Sequence, residues 1–253
     1  MMIDIDPAAL DGITRAKHMN IISLFDESGN ALRPWAEGGY TCYALDILNE
    51  DTATEYFPTG GSIHYIAADL KDPAWVKWAI SMNPVCIMGF PPCTDLAVSG
   101  AAHFASKRGR NPNFQIDAAN LAKRVGAIGD AVGCPWFAEN PVSVLATLWR
   151  KPDVSFHPHE YGGYLPPDDV HPRWPDYINP RDAYPKKTCL WTGGGWKMPD
   201  RKHVTVAEGY SAQHRRLGGK TAKTKQIRSE TPRGFAIANY LTNNNAKEQS
   251  HDD

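Results

Sequence analysis

A cysteine set directly after two prolines, Cys93 in GFPPCTDLAVSG (89–100), is the side chain of this sequence best suited to covalent chemistry. The preceding apolar run PVCIM (84–88) reads as a buried strand, and Pro91 and Pro92 must end it because proline offers no donor to a sheet ladder. Cys93 is therefore predicted on a stiff loop at a strand end, where open α/β sheets hold their ligands. Thr94 and Asp95 read as a helix start, whose positive end favours a thiolate, and Lys107, Arg108 and Arg110 add positive charge. An inert, buried structural cysteine is the alternative. The segment FAENP (137–141) delivers Glu139 and Asn140 to a second strand end, where a carboxyl group must be paired, solvated or functional.

A third group of residues suits a nucleoside. In LFDESGNALRPWAEGGY (24–40), Ser28, Gly29 and Asn30 form a tight turn that lets the backbone approach an adenosyl group. Asp46 in ALDI follows about twenty residues later, where a carboxylate can accept from ribose hydroxyls, and Asp69 in AADL is a partner for an adenine amino group. Helix capping is the alternative role for each aspartate.

The elements that must position these groups alternate between strand-like and helix-like. Strands are predicted at 19–25, 41–47, 63–70, 84–90 and 135–140, and a long helix over 114–132 from the spacing of Ile116, Ala119, Leu121, Ala122, Val125, Ile128 and Val132. Lys123, Arg124 and Asp130 fall on its outer face. This alternation predicts an α/β fold: a Rossmann-like, doubly wound, mostly parallel sheet. The proline-, aromatic- and histidine-rich stretch 157–185 reads as ordered loop, followed by a strand at 187–193 and a closing helix over 231–241 started by Thr231 and Pro232. The division expected is a catalytic domain over 1–192, a short basic, glycine-rich insertion over 193–228, the closing helix over 229–242 and a disordered tail over 243–253.

Bulk composition narrows the partners. A hydrophobic share of 42%, a charged share of 22% and a formal net charge of −1 give no overall attraction to nucleic acid or membrane, so any polyanion site must be local. Such a site is available in 213–228, which gathers Arg215, Arg216, Lys220, Lys223, Lys225 and Arg228 without an acid. A solvated charge run is the plainer explanation. The acidic amino terminus has no apolar signal region, which predicts a cytoplasmic protein with no membrane partner. Five scattered cysteines without a CxxC pair predict reduced thiols, with neither a disulfide framework nor a metal site. His157, His159 and Glu160 lack a second ligand cluster, and burial is the ordinary role of Trp174, Trp191 and Trp196.

Taken in order, LFDESGN, ALDI, ADL, GFPPCTDLAVSG and FAENP, followed by KKTCLWTGG and RSETPRGFAIANYL, resemble the cytosine-5 DNA methyltransferases, in particular the short phage-type members. The resemblance covers most of 20–241. It implies the class I fold that binds S-adenosyl-L-methionine, with a much reduced target-recognition region, and a host-cytoplasm location if phage-encoded. Cys93 would be the nucleophile, Glu139 would bind the cytosine ring and Asn140 would hold the loop. The cofactor would lie against Phe25, Ser28, Gly29 and Asn30, against Asp46, Ile47, Asp69 and Leu70, and against Pro91 and Thr231. Thr94, Lys107 and Arg108 would face the substrate, with Arg215, Arg216 and Lys220 on its phosphates. The family's Gln-x-Arg-x-Arg strand has no literal counterpart, and Lys186 and Lys187 stand in its place. DNA is the expected substrate. A free cytosine nucleotide or RNA, or a nucleic-acid-binding relative that has lost catalysis, are the alternatives.

Overall fold

The computed structural model describes residues 19–49, 53–206, 217 and 221–244. The chain divides into two compact units, Met1–Asp153 with Leu190–Trp196, and Val154–Cys189 with Lys197–Asp253. This differs from the division expected at 192/193, because 154–189 and the closing helix fall in the second unit.

Strand β1 (Asn20–Leu24) lies at the centre of a mixed sheet of eight strands, and β2 (Thr41–Asp46) and β5 (Cys86–Gly89) flank it in parallel. Beyond β2 lies β4 (Ser62–Ala67), also parallel, and then the short antiparallel edge strand β3 (Thr54–Tyr56). On the other side β6 (Trp136–Pro141) runs parallel to β5, with β8 (Thr188–Gly193) beyond it. β5 is buried throughout and β1 at every residue but Asn20, as a parallel sheet covered on both faces requires. The expected α/β class holds, with a sheet parallel in its middle and compatible with a Rossmann-like fold.

The helices of the first unit are α1 (Arg33–Glu37), α2 (Pro73–Ser81), α3 (Phe104–Arg110), α4 (Phe114–Val132) and α5 (Leu145–Leu148). Asp72 starts α2 by accepting the Ala74 N–H at 2.8 Å. α4 spans the predicted residues and ends at Gly133, which adopts φ +76°. Its inner face differs at one end, since Ile116, counted as packed, is 50% exposed. Gly126 and Gly129 make room for Trp136, and a Cβ on Gly129 would lie 2.2 Å from its Cδ1. Trp136, Trp149 and Trp191 stack in series, with successive centroids 6.2 Å apart and ring planes 13° from parallel.

The second unit contains β7 (Val154–Phe156), α6 (Ala222–Ser229) and α7 (Arg233–Asn243). Its 157–185 stretch is ordered, as expected, and includes short 3-10 turns at Pro158–Glu160, Gly162–Tyr164 and Pro180–Asp182. Ile178, Tyr184, Leu217 and Ile227 form a core there, with Trp174 and Tyr177 packed against it. The closing helix starts and ends two residues later than predicted. Asn243, assigned to the tail, is buried, and its amide accepts from the Lys197 N–H and donates to the Lys197 carbonyl. Residues 245–253 lie outside the described residues. Among the described residues no helix is long and apolar enough to cross a membrane.

Candidate functional site

Because β1, β2, β4, β5 and β6 are parallel, their carboxyl ends share one edge of the sheet. The register is tight: Leu24 pairs with both Leu45 and Gly89, and Gly89 pairs with Ala138. Phe25, Asp46, Phe90 and Glu139 are therefore each the next residue outward on neighbouring strands. Chain direction across the sheet reverses between β1 and β5, the crossing at which such sheets open a crevice for a ligand. The loops after β1 and β5 flank it.

The β1 loop is organised by a residue that the motif reading passed over. Asp26 is buried, and its carboxylate accepts from Ser23 Oγ (2.8 Å), Gly29 N (2.8 Å), Ser28 N (3.0 Å) and Ser28 Oγ (3.1 Å). Phe25 takes φ +59° to turn the chain inward, a conformation that is uncommon for a residue with a side chain. Gly29 takes φ +68°, and a Cβ there would sit 2.5 Å from Tyr65 Oη. The Asn30 N–H donates to Ser28 Oγ at 3.2 Å. Burial raises the Asp26 carboxyl above its ordinary range, and the hydrogen bonds from Ser23, Gly29 and Ser28 oppose that.

Next to it, Asp46 accepts from the Leu48 N–H at 2.9 Å, and Asn49 Nδ2 ties the same corner to the Asp26 and Ala44 carbonyls. Burial raises the Asp46 carboxyl, and the charges of Glu27 and Asp26 raise it further against the pull of that N–H. Ile47 and Leu48 are 65% and 68% exposed, so an apolar shelf adjoins the carboxylate. Asp69 is exposed and accepts from the Lys71 N–H at 3.0 Å, while the buried Leu70 offers its carbonyl to Arg124. Arg124 is thus committed inward rather than standing on an outer face.

Cys93 lies at the opposite side of the crossing, half-buried and outside any disulfide. The predicted helix start is not there. The Cys93 carbonyl accepts from the Leu96 and Ala97 N–H groups (3.0 and 2.8 Å), a single turn that gives way to a 3-10 segment at Val98–His103. One turn has no aligned peptide stack, so the helix-end argument for a thiolate does not apply. The loop is fastened instead by the neighbouring strand. Asn140, fully buried, donates through Nδ2 to the Pro91 carbonyl at 3.0 Å, and its Oδ1 has no partner among the described residues. Val98 N–H donates to the Val142 carbonyl and Val144 N–H to the Leu96 carbonyl, around an Ala97–Ser143 bridge. The Cys93 and Glu139 segments thus form one zipped edge. Glu139 is half-buried beside it, Pro91 is buried and Thr94 is exposed. Lys107 Nζ donates to the Thr94 carbonyl (2.9 Å) and pairs with Asp95 (2.6 Å), which makes it a brace for the loop, while Arg108 is exposed.

No family model and no curated protein matches the chain.

Lys186, Lys187 and Thr231 belong to the second unit. Lys186 Nζ donates to the Arg228 carbonyl at the end of α6 (2.8 Å), Lys187 is exposed and Thr231 is buried. Arg215, Arg216 and Lys220 lie outside the described residues. Trp191 and Trp196 are buried, and no metal-ligand cluster occurs among the described residues. Sequence reasoning missed Asp26 and the 142–144 clamp. Asp26 carried a signal, an aspartate two and three residues before Ser28 and Gly29, the spacing of a side chain that binds its own turn. The clamp carried none, since it joins segments nearly fifty residues apart.

Proposed function

We propose that the protein is an S-adenosyl-L-methionine-dependent methyltransferase that modifies carbon 5 of cytosine in DNA through a covalent bond to Cys93. The observation that carries this reading is the zipped edge, which puts a half-buried cysteine loop and Glu139 on adjacent parallel strand ends across the sheet crossing from a nucleoside-type pocket. The pocket's groups fit the cofactor. Asp46 suits ribose hydroxyls, Asp69 an adenine amino group and Ile47 the adenine face, around the turn at Phe25, Ser28, Gly29 and Asn30. When bound, the cofactor supplies an electrophilic methyl group.

The chain's own residues do the rest. The Cys93 sulfur, as thiolate, adds to carbon 6 of the ring, which raises electron density at carbon 5. Glu139, bonding at ring nitrogen 3 and the exocyclic amine, stabilises that adduct. Asn140 keeps the Cys93 loop at a fixed distance from the β6 end through Pro91. Once carbon 5 is methylated, loss of its proton expels the Cys93 sulfur and restores the ring. A base within a duplex must first leave the stack.

The test is incubation with methyl-labelled S-adenosyl-L-methionine and, separately, duplex DNA, single-stranded DNA, RNA and cytosine nucleotides. The expected outcome is label on carbon 5 of DNA cytosine that Cys93→Ser abolishes. Label confined to a nucleotide or RNA would keep the chemistry and change the substrate. No transfer to any of them, with cofactor binding intact, would favour a binding protein without catalysis.

A further inference from the structure

Loops at a sheet crossing hold phosphates by pointing free backbone N–H groups at them. The β1 loop has spent those donors. The N–H groups of Ser28 and Gly29 both point at Asp26 Oδ1, and that of Asn30 at Ser28 Oγ. The amides of Leu32 and Arg33 close onto the Gly29 carbonyl. Arg33, the cation nearest in sequence, is held bidentate by Glu55 at 2.7 and 2.9 Å. The acids at this corner reinforce one another, since Glu27 and Asp26 both act on Asp46. A phosphate here would meet carboxylates, with the amides of Ser28, Gly29 and Asn30 already committed, whereas a cationic centre would meet a favourable field.

We propose that Asp26 determines the charge class of the ligand, selecting an adenosyl compound that carries a positive centre and no phosphate, and excluding nucleotides and dinucleotides. This rests on the methyltransferase reading and deepens it. Asp26 does so in two ways: it occupies the turn's donors as an internal anion, and it contributes negative charge to the pocket. Asp26→Asn separates the two. The amide is isosteric and its oxygen can accept from the Ser28 and Gly29 N–H groups, so the turn keeps its acceptor while the charge is lost and the Ser23 hydroxyl changes from donor to acceptor.

The experiment is calorimetric titration of the full chain and of Asp26→Asn with S-adenosyl-L-methionine, S-adenosylhomocysteine, adenosine diphosphate and NAD. The two adenosyl compounds differ by the sulfonium charge and its methyl group. The expected wild-type result is about tenfold preference for the sulfonium over the neutral thioether and no measurable binding of either phosphate compound. Asp26→Asn should bring that ratio towards unity, with affinity for the sulfonium falling more than affinity for the thioether. An unaltered ratio in the variant would overturn the role of Asp26 and leave the methyltransferase reading standing. Wild-type binding of adenosine diphosphate or NAD as tightly as S-adenosyl-L-methionine would overturn the charge rule even if the variant failed to fold. Failure of both adenosyl compounds to bind the wild type would overturn the methyltransferase reading, and the charge rule with it.

Discussion

Each unit buries an aspartate whose carboxylate receives a glycine N–H, and the two are held in opposite ways. Asp26 follows Phe25 at φ +59° and accepts from Gly29 N at 2.8 Å, with Ser23 and both groups of Ser28 completing its shell. Asp182, itself at φ +50° and preceded by Arg181 at φ +55°, accepts from Gly234 N at 2.9 Å, at the start of α7. The first is satisfied by residues within three positions of itself, the second by a group 52 positions away. Burial outweighs that N–H and the attraction of Arg233, and pushes the Asp182 carboxyl up to about 6. A buried carboxylate with a full local shell can serve a binding loop. One held by backbone N–H groups at the start of a distant helix acts as a joint between segments.

Removing the local shell's acceptor should have the largest effect. Asp26→Ala strands donors on buried Ser23 and Gly29 and on half-buried Ser28, a buried one costing about 1–3 kcal/mol when unpaired. The expected loss is about 4 kcal/mol, read as a fall of about 10 °C in the unfolding midpoint, together with loss of S-adenosyl-L-methionine binding.

The joint should show itself next, in pH dependence. Because the folded-state value for Asp182 lies above its ordinary 3.8, the native form binds the proton more tightly, and this contribution to stability is lost as pH rises from about 4 to about 6. His171 works the other way. Burial first, then Arg233, lowers it to about 4, so its contribution is lost as pH falls from 6.5 towards 4. The two slopes oppose each other in the same interval. Asp182→Asn should unmask the histidine, making denaturant-measured stability rise more steeply between pH 4 and 6, by on the order of 3 kcal/mol across it.

A smaller effect is expected at Gly29→Ala, where a side chain at φ +68° also meets Tyr65 Oη. A loss of about 1–2 kcal/mol should be measurable in urea. The smallest concerns Lys107→Met. Its pair with Asp95 is partly exposed, 29% and 40%, and salt-screened, so stability should change by no more than about 0.5 kcal/mol. A larger loss would mean that the Cys93 loop depends on this brace as heavily as the β1 loop depends on Asp26.

What the sequence made legible follows the same division. The five parallel strands and α4 were readable because their apolar runs and spacing are local, and the strand ends located Asp46, Asp69, Cys93 and Glu139. β3 and β7 were not, since three residues are too few to show alternation. The helix expected after Cys93 fails because Asp95 pairs with Lys107 and Ala97 bridges to Ser143, contacts that no window around Cys93 contains. The second unit resisted most. His171, Asp169 and Arg233 mean little singly, yet Asp169 Oδ2 accepts from both the Arg181 N–H (2.8 Å) and Arg233 (2.6 Å), bringing the middle of the chain to its last helix.

The tryptophan stack gives this two-part molecule an optical label. Trp136, Trp149 and Trp191 all belong to the first unit, with rings close enough and parallel enough for their electronic transitions to couple. Trp174 is the single tryptophan of the second unit. A coupled far-ultraviolet dichroic band should therefore report the melting of the first unit alone, while the fluorescence of a Trp174→Phe protein, subtracted from that of the parent, would follow the second.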